Sequence, residues 1–586
     1  MNLLKTVRTD YQVILFLCLV TIYHLILQDR GAFSWPDEQL YSDALKSIGC
    51  LIDFDIPGFC KTLTGFGARP AEATIRLVPA AIQTILEKWA GISPYNPESL
   101  RIPATFNLIS SFLLSFVFYR LSQIFFENDR LTSILSTVVF ALLVSNNVFV
   151  RHIIPYDTAL LFCLLSLYYA LKTDDAGEGW ELMKFRTLVI AGMICGVGLF
   201  LYPVSFLVSR TAALFGAIFC LVCILSSLWI VARQGNRKQA QYWILTGLIS
   251  GFGLALYPAF YAFPGGVLLV ILLTRGKAPY IGLSWGRFYA AILFGMSVLS
   301  VIFFYEVVSR VGDESYLACA YRLSKTITQG EFAEGYSFLP KYFVEVEGAI
   351  GIVLLVGMLV SLVFLLMRII KQETISRSQC LLLVCFVIWC VIYLVYATQS
   401  TVFHKMSFTG RYARMYFPFV VWMGIAVPML VSGLILKRLL FGIILITSLI
   451  TFWGYALEYR NLAYPVNVLY ANGIRWEDVV SENKIYEKER IPQEWVVTMP
   501  GRGIFNQAQY ITRSGDDRFI FLNFTFFDII NETPHKPSYI PPEGAQILYQ
   551  GLHFLSFRSS QFEGANINQR KELTERKFKM AIYTVH

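Results

Sequence analysis

Runs of apolar residues recur along most of the chain and are separated by short polar connections. A crossing of the hydrocarbon core of a bilayer needs about 20 predominantly apolar residues, and apolar runs near that length follow one another up to residue 457. The pattern predicts 13 membrane spans, at 11–27, 102–126, 131–150, 155–172, 187–207, 211–232, 242–260, 262–274, 288–308, 349–368, 380–398, 416–436 and 439–457.

The segment 242–274 allows two interpretations. It is either one long helix kinked at Pro258 and Pro264 or two crossings that separate after residue 260. We favour two crossings, because the connection that follows them, RGKAPYIGLSWGR, is then basic like the other connections on the same side.

The composition agrees with a membrane protein and excludes a soluble one. Of the 586 residues, 56% are hydrophobic and 15% charged, and the mean hydropathy is +0.55. Lys5 and Arg8 before the first apolar run resemble the start of a signal peptide. No small-residue cleavage site follows convincingly, and many further spans come after it, so we expect an anchored first span.

The basic residues predict the orientation. Short connections on one side carry 17 Lys and Arg residues, against 5 on the other side. By the positive-inside rule, the N-terminus is predicted to be cytoplasmic and the C-terminus periplasmic or extracellular. The formal charge of +9 follows from this bias, and nothing in it indicates a nucleic-acid partner.

Three outer regions are predicted: a first loop at 28–101, a second at 309–348 and a tail at 458–586. The first loop has helical patterns at 37–48 and 71–90. The tail has strand-like stretches at 518–526, 545–557 and 579–585 and a helix-like charge pattern near 476–490. The predicted fold is a polytopic α-helical membrane protein with about 13 transmembrane helices (residues 1–457), followed by a small C-terminal α/β domain outside the membrane (458–586).

An internal repeat and the cysteines add detail. The stretches GVGLFLYP (196–203) and GFGLALYP (251–258) predict parallel helices that pack closely through small residues. Cys50 and Cys60 share the first outer loop, where a disulfide is expected, with two reduced thiols as the alternative. No pattern of Cys or His in the outer regions has the spacing of a zinc site.

Charged residues gather near the predicted outer boundary. Asp37 and Glu38 in SWPDEQLY fit an ordinary helix start, with Pro at an early position and acids in the first turn. Glu306 and Arg310 are spaced to form an ion pair within one helix. The cluster HKMSFTGRYARMYFP (404–418) carries Lys405, Arg411 and Arg414 against the positive-inside bias, and an anionic partner outside would explain it.

These motifs resemble a family. In order and in predicted side of the membrane, they are similar to those of GT-C membrane glycosyltransferases that use polyprenyl-phosphate sugars, especially the aminoarabinose transferase and protein O-mannosyltransferase branch. The resemblance covers about residues 1–457 and rests on WPDEQLY (35–41), GARP (67–70), LRIPATF (100–106), YDTALLFCLLSLYYALK (156–172) and RYARMYFP (411–418). Two departures are an Arg at 69, where a Lys is expected, and a tail that matches nothing residue by residue, which leaves the acceptor open.

The resemblance implies an inverting transfer of a sugar from a polyprenyl phosphate, such as undecaprenyl phosphate, to a glycolipid, polysaccharide or protein of the cell envelope. A departing phosphate needs cations, and the acceptor hydroxyl needs one base. The implied catalytic residues are Asp37 and Glu38, with Asp37 as the base and Glu38 orienting it. Arg69, Lys405, Arg411 and Arg414 are the implied phosphate ligands, and Asp157 and His404 the implied sugar or acceptor pocket. No cofactor or metal is expected to be obligatory, although Asp37, Glu38 and Asp157 offer oxygen ligands for a divalent cation.

Three other classes stay open. A lipid-linked polysaccharide polymerase or ligase would use a pyrophosphate-linked donor, and the acidic motif after the first span would then be unexplained. A secondary transporter would have broken spans with charges at the bilayer midplane, whereas these charges lie at the boundary. A non-enzymatic sensor would use the tail as a binding module.

Overall fold

The fold is that of a computed structural model. The structure describes residues 2–27, 41–64, 70–92, 94, 97–148, 150, 156–175, 185–234, 237–256, 285–327, 335–371, 416–427, 434–460, 508–513, 516–523, 546–554 and 577–585, together with scattered positions between 376 and 398.

Helices make up the described part before residue 460. In chain order they are α1 (Asn2–Leu27), α2 (Tyr41–Ile52), α3 (Ile56–Thr64), α4 (Pro70–Ala90), α5 (Pro97–Phe125), α6 (Arg130–Leu142), α7 (Val144–Val148), α8 (Tyr156–Asp175), α9 (Phe185–Val208), α10 (Arg210–Gln234), α11 (Arg237–Leu256), α12 (Trp285–Val311), α13 (Tyr316–Ile327), α14 (Phe338–Val346), α15 (Gly348–Ile370), α16 (Phe417–Ile425) and α17 (Leu434–Arg460).

Six described helices are long and apolar enough to cross a membrane. They contain Ser99–Phe125, Val189–Val208, Arg210–Arg233, Phe288–Val311, Gly348–Ile370 and Ile435–Gly454. Three shorter apolar helices cover Asp10–Ile26, Arg130–Leu142 and Tyr156–Leu171. Each of these nine segments overlaps a predicted span. The predicted span at 262–274 lies outside the described residues, and the one at 380–398 is described only at scattered positions.

The predicted span at 131–150 is not one helix. Helix α6 ends at Leu142, because Leu143 has an extended conformation (φ −58°, ψ 134°), and the short helix α7 begins at Val144. The sequence shows no Pro or Gly at this break. A buried carboxylate from a residue about 200 positions away in the chain binds the first amides of α7 and stabilises the interruption.

Side-chain contacts define two ends of the helical bundle. At the upper end, the last turn of α1 meets α7, where His24 Nε2 lies 2.5 Å from Asn147 Oδ1. At the lower end, Asp10 of α1 lies 3.1 Å from Arg120 of α5. Helix α1 therefore runs upward and α5 downward.

Other helices alternate in the same way. Ser227 near the lower end of α10 donates to Ala191 O near the start of α9 (2.8 Å), so these two helices are antiparallel. Tyr289 at the start of α12 donates to Val231 O at the end of α10, which makes α12 antiparallel to α10. Helices α9 and α12 thus both run upward.

Helices α11 and α12 are parallel. A Cβ on Gly247 would lie 2.6 Å from Phe294 O, and one on Gly251 would lie 3.0 Å from Val298 O, so contacts advance in the same direction along both helices. This relative direction is the one that two crossings in 242–274 require, and residues 257–284 themselves lie outside the described residues.

Of the repeat glycines, Gly198 and Gly251 lie at close helix contacts as the sequence predicted, whereas a Cβ on Gly196 would meet no neighbouring heavy atom within 4 Å. A Cβ on Gly198 would lie 2.7 Å from Cys223 Cβ of α10, and Gly251 approaches the backbone of α12. Both glycines therefore allow close contact between helices.

Aromatic stacking forms part of the core near the lower half. Phe118 of α5 lies between two parallel rings, with centroids 4.1 Å from Phe140 and 4.6 Å from Trp422. Trp422 of α16 is fully buried, and its indole N–H donates to Ser122 Oγ at 2.8 Å. This pairing satisfies the one polar atom of a large buried ring.

The helices of the first outer loop pack on the upper end. Gln83 of α4 donates to Ser99 O of α5 at 3.0 Å, and Tyr305 of α12 donates to Thr74 of α4 at 3.1 Å. The predicted helix at 71–90 is confirmed as α4. Of the predicted helix at 37–48, the residues from Tyr41 onward lie in α2, and 37–40 lie outside the described residues.

The expected disulfide between Cys50 and Cys60 is wrong, because both are free thiols in the structure. Cys50 Sγ faces Gly58 of α3, 3.1 Å from the position of a Cβ there. Cys60 follows two residues later, about 200° around that helix, and is buried. The two side chains therefore point to different surroundings.

Four strands are described in the tail: β1 (Ala508–Arg513), β2 (Asp516–Asn523), β3 (Gln546–Phe554) and β4 (Lys577–Val585). They form an antiparallel sheet in the order β1-β2-β4-β3, with Ile520 opposite both Ile511 and Thr584. Strands β2 to β4 overlap the three predicted stretches, and β1 was not predicted. The helix-like segment 476–490 lies outside the described residues.

Candidate functional site

Of the sequence-predicted site residues, the structure describes Asp157. The other seven lie outside the described residues: Asp37, Glu38, Arg69, His404, Lys405, Arg411 and Arg414. What the structure does describe is the set of helix ends on either side of these segments.

Those flanking helix ends all belong to the upper end of the bundle. Leu27, before the acidic motif, ends the helix whose His24 contacts α7. Tyr41, after the motif, is buried and donates to Gln83 of α4, which in turn binds Ser99 at the start of α5. The segment that carries the acidic motif thus connects to described residues at the upper end on both sides.

The other two segments connect to the upper end through the residues that follow them. Pro70, after Arg69, starts α4, whose Thr74 binds Tyr305 near the upper end of α12. Phe417, after the basic cluster, packs edge to face on Phe343 (centroids 5.0 Å apart), close to the buried Glu347 at the top of α15.

Asp157 is the second residue of α8 and is 1% exposed. Its helix packs against α5 and α11. Just before α8, the backbone carbonyl of Val150 accepts from Asn107 of α5 at 3.2 Å. Asp157 is therefore a buried carboxylate at the start of a helix, where the helix dipole favours negative charge.

A buried ion pair lies on α4. Glu72 and Arg76 form an ion pair of 2.5 Å within one helix, and both side chains are less than 10% exposed. Burial raises the pKa of the nearby Asp43 carboxyl of α2, and Lys46 and Arg76 act in the opposite direction. Arg76 is thus close enough to interact with acids on two helices of the first outer loop.

The most extensive network surrounds Glu306 near the top of α12. This fully buried carboxylate accepts from Arg310 Nε at 3.0 Å, Ser315 Oγ at 3.1 Å and Leu317 N at 2.9 Å, and from the Tyr202 hydroxyl of α9. The predicted ion pair of Glu306 and Arg310 is confirmed.

This network has a local structural role. Ser315 precedes α13 and accepts from Ala318 N at 3.1 Å, while Glu306 binds the amide of Leu317. Together they satisfy two of the amides that the first turn of a helix leaves without intrahelical partners. Glu306 therefore holds α13 on the top of α9 and α12.

A further buried carboxylate, Glu347, explains the break between α6 and α7. It precedes α15 and accepts from the amides of Val144 (2.8 Å) and Ser145 (3.0 Å) and from the Ser145 hydroxyl. The Tyr342 hydroxyl lies 3.2 Å from Ser145 Oγ. Glu347 thus caps α7 from more than 200 residues away in the chain.

A polar group from the first helix completes the upper end. Both N–H groups of the Asn147 amide are used, by Ala141 O at 2.8 Å and Leu143 O at 2.6 Å, so its oxygen accepts from His24 Nε2. A small cavity beside His24 is lined by side chains of α1, α5 and α6–α7, among them Thr21, Ser111 and Ser115.

Sequence analysis did not single out Glu72, Arg76, Glu347 or His24 as functional candidates. The spacing of Glu72 and Arg76 is a detectable signal for a helical ion pair. The contacts of Glu347 and His24 join residues more than 100 positions apart, and no local pattern predicts them.

In comparisons with protein-family models and with curated proteins, nothing matches this chain. The fold defines a class: the protein is a multi-pass helical membrane protein. Its function has to be argued from its own residues and their arrangement.

Proposed function

We propose that the protein is an integral membrane glycosyltransferase of the GT-C type. It moves a sugar from a polyprenyl phosphate to a cell-envelope acceptor on the outer face of the cytoplasmic membrane, with inversion at the anomeric carbon. The observation that supports this best is the convergence of the helix ends that flank the acidic motif, Arg69 and the basic cluster at the upper end, where the buried Asp157 also lies.

The chemistry needs few groups. The donor already carries a good leaving group, so cations must stabilise the departing phosphate and one carboxylate must accept the proton of the acceptor hydroxyl. In this proposal Arg69, Lys405, Arg411 and Arg414 bind the phosphate. Asp37 is the base, Glu38 orients it, and Asp157 and His404 shape the sugar or acceptor pocket, without an obligatory metal.

The topology belongs to the same proposal. Thirteen spans, with a cytoplasmic N-terminus and residues 458–586 outside as a small α/β domain, place the upper end of the bundle on the outer face. The parallel direction of α11 and α12 and the antiparallel sheet of the tail support this arrangement. A reporter that is active only outside the cytoplasm should work when fused after residue 586, and activity of a cytoplasm-only reporter there would contradict it.

Donor binding is the direct test. Arg69→Ala and Arg411→Ala, purified in nanodiscs, should bind radiolabelled undecaprenyl-phosphate sugars more weakly than the wild type and transfer them more slowly. Arg411→Lys should rescue poorly, because a two-pronged contact with phosphate depends on the planar guanidinium.

The matched control is Lys88→Ala, which removes an exposed cation from α4 in the same outer loop. It should change neither binding nor transfer. Unchanged lipid affinity and turnover in both arginine variants would remove these residues from the site, and absence of transfer by the wild type with a panel of such donors would contradict the proposed function.

A further inference from the structure

Helix α4 has its polar and apolar faces reversed relative to a helix that faces water. Its buried residues include Glu72, Arg76 and Gln83, whereas Val78, Ile82, Ile85 and Trp89 are between 37% and 84% exposed. A water-facing helix of a soluble domain places its apolar stripe inward and its charges outward. The exposed face of α4 therefore does not suit water.

Helical geometry places the exposed apolar residues and the buried polar residues of α4 on opposite faces. At about 100° per residue, the four exposed residues fall within an arc of about 60°. Glu72, Arg76 and Gln83 lie about 120° to 160° from Val78, on the face that packs against the bundle. The apolar stripe (Val78, Ile82, Ile85 and Trp89) is thus continuous along more than half of this 21-residue helix.

The stripe matches the outward face of a membrane span. Helix α15, the most hydropathic of the six candidate spans, exposes Ile352, Val356, Leu359 and Val363. The intervals between these residues are four, three and four positions, the same as in the apolar stripe of α4. Their exposed fractions, 48% to 57% along α15, lie within the range found for the stripe on α4.

The helices beside the stripe also expose apolar residues. Helix α4 packs against α5 and α11, and both carry exposed apolar residues, including Ile109 and Leu113 on α5 and Leu245 and Leu248 on α11. Trp89 and Lys88 stand at the end of α4, as aromatic and basic residues often do at the boundary of the hydrocarbon region.

A second apolar element lies on the neighbouring helices. Leu51, Ile52 and Ile56 are exposed at the junction of α2 and α3, and Phe54 is 88% exposed with φ of +57°. A left-handed conformation is unfavourable for a Phe. The chain nevertheless holds this ring away from the protein, next to the loop's other apolar side chains.

We propose that α4 and the junction of α2 and α3 are embedded in the outer part of the bilayer, with the apolar stripe of α4 in contact with lipid acyl chains. The first outer loop is then a lipid-bound collar around the upper end rather than a water-exposed loop. Its buried face presents Glu72 and Arg76 to the bundle while its outer face contacts lipid. This inference does not depend on the proposed glycosyltransferase function.

Two photolabels of opposite solubility test it on the unmodified protein. Full-length protein is placed in nanodiscs of phosphatidylethanolamine and phosphatidylglycerol. One sample is labelled with a phospholipid that carries a diazirine on its acyl chain, and a second sample with a water-soluble diazirine. The labelled sites are mapped by peptide mass spectrometry. We expect the acyl-chain label on 78–89 at a yield within about threefold of that on 352–363, and little water-soluble label.

Two outcomes would overturn the inference. Modification of 78–89 by the water-soluble reagent alone would place the stripe in water, and modification by neither reagent would mean that protein covers it. As a second measurement, Ile85→Asp should lower the yield of folded protein about as much as Leu359→Asp on α15, whereas Glu87→Asp, at an exposed acidic position on α4, should be neutral. Normal yield of Ile85→Asp with low yield of Leu359→Asp would also contradict the inference.

Discussion

Among the described residues, the two ends of the helical bundle differ in whether they contain fully buried ion pairs. At the lower end, the ion pairs Asp10–Arg120 and Asp129–Lys437 each keep at least one side chain about 30% exposed. At the upper end, Arg210–Asp313 and Asp43–Lys46 each keep a side chain more than half exposed. Glu72–Arg76 and Glu306–Arg310, however, have all four side chains at or below 6% exposure. Asp157 and Glu347 are also buried there.

The difference in burial has an energetic meaning. An ion pair that remains partly in water contributes about 0–1 kcal/mol, because solvent screens the attraction. A buried pair must first lose its hydration, and replacement by apolar residues is often neutral or stabilising. The buried ion pairs at the upper end are therefore poorly explained by a contribution to stability alone. They indicate that this end is where charged groups take part in chemistry or hold neighbouring side chains in place.

The largest effect is expected from the acidic motif next to the upper end. If Asp37 is the base of the proposed reaction, Asp37→Asn keeps its shape but cannot accept a proton, and transfer should fall about 100- to 10,000-fold. Glu38→Gln should be milder. The measurement is turnover by folded protein in nanodiscs with the donor saturating.

The control for Asp37→Asn is Glu87→Gln, which removes an exposed acid from the same outer loop and should leave turnover unchanged. The Asn variant should still bind the donor, because the cations hold the phosphate. Near-normal turnover by Asp37→Asn would show that SWPDEQLY is an ordinary helix start.

The next largest effect concerns the Glu306 network. Glu306→Ala leaves the Arg310 guanidinium buried without its carboxylate and removes the cap of α13, so we expect a loss of about 3–5 kcal/mol in the free energy of unfolding. The double variant Glu306→Leu/Arg310→Met should lose less than the single variant, since it removes the uncompensated charge. Unfolding can be followed by thermal denaturation in detergent, and equal stability of Glu306→Ala and wild type would contradict a buried pair.

A third prediction tests how the first outer loop attaches to the upper end. A Cβ on Gly312 would lie 2.7 Å from Lys61 Cα and 2.8 Å from Lys61 N, which are backbone atoms of α3. Gly312→Ala should push α3 away and cost about 1–3 kcal/mol. Gly295→Ala in α12 meets no heavy atom within 4 Å and should be neutral or stabilise the protein by up to about 1 kcal/mol. Thermal denaturation of both variants should separate them; the same stability for the two would contradict the close contact.

The smallest effect is expected at the lower end. Asp129 accepts from the amides of Leu131 (3.1 Å) and Thr132 (3.3 Å) as the N-cap of α6, and its loss in Asp129→Ala should cost about 1 kcal/mol. Burial raises the pKa of Asp129, but hydrogen bonds from Thr132 and Lys437 and the Lys437 charge outweigh it, so the pKa lies below its usual value.

The sign of the pH dependence follows from that shift. A lowered pKa in the folded state stabilises the protein above about pH 4, and the contribution is lost as the pH falls through the folded-state pKa. The stability difference between wild type and Asp129→Asn should therefore shrink in acid. A difference that grows below pH 4 would contradict the lowered pKa.

Local sequence patterns are sufficient to predict the class of the protein and much of its layout. In lipid, the backbone N–H and C=O groups of a span have no water to bind, and a helix satisfies them within its own segment. Apolar helices of about 20 residues can therefore be predicted from local composition. Helix α4 and the pairing of Glu306 with Arg310 were also predictable, since both depend on residues within a few turns of one another. The strands β2 to β4 follow from local patterns as well, although β1 did not.

The contacts that form the upper end depend on packing between distant parts of the chain, and the sequence did not predict them. Leu143 breaks a predicted span because Glu347, far away in the chain, caps the next helix. Cys50 and Cys60 share a short stretch of sequence, yet the packing of α2 on α3 turns their thiols apart. The apolar stripe of α4 has an ordinary helical spacing, and only its exposure shows that it faces outward. Local sequence specifies which helices form and which faces are apolar, whereas long-range packing decides which face is buried and which distant polar groups meet.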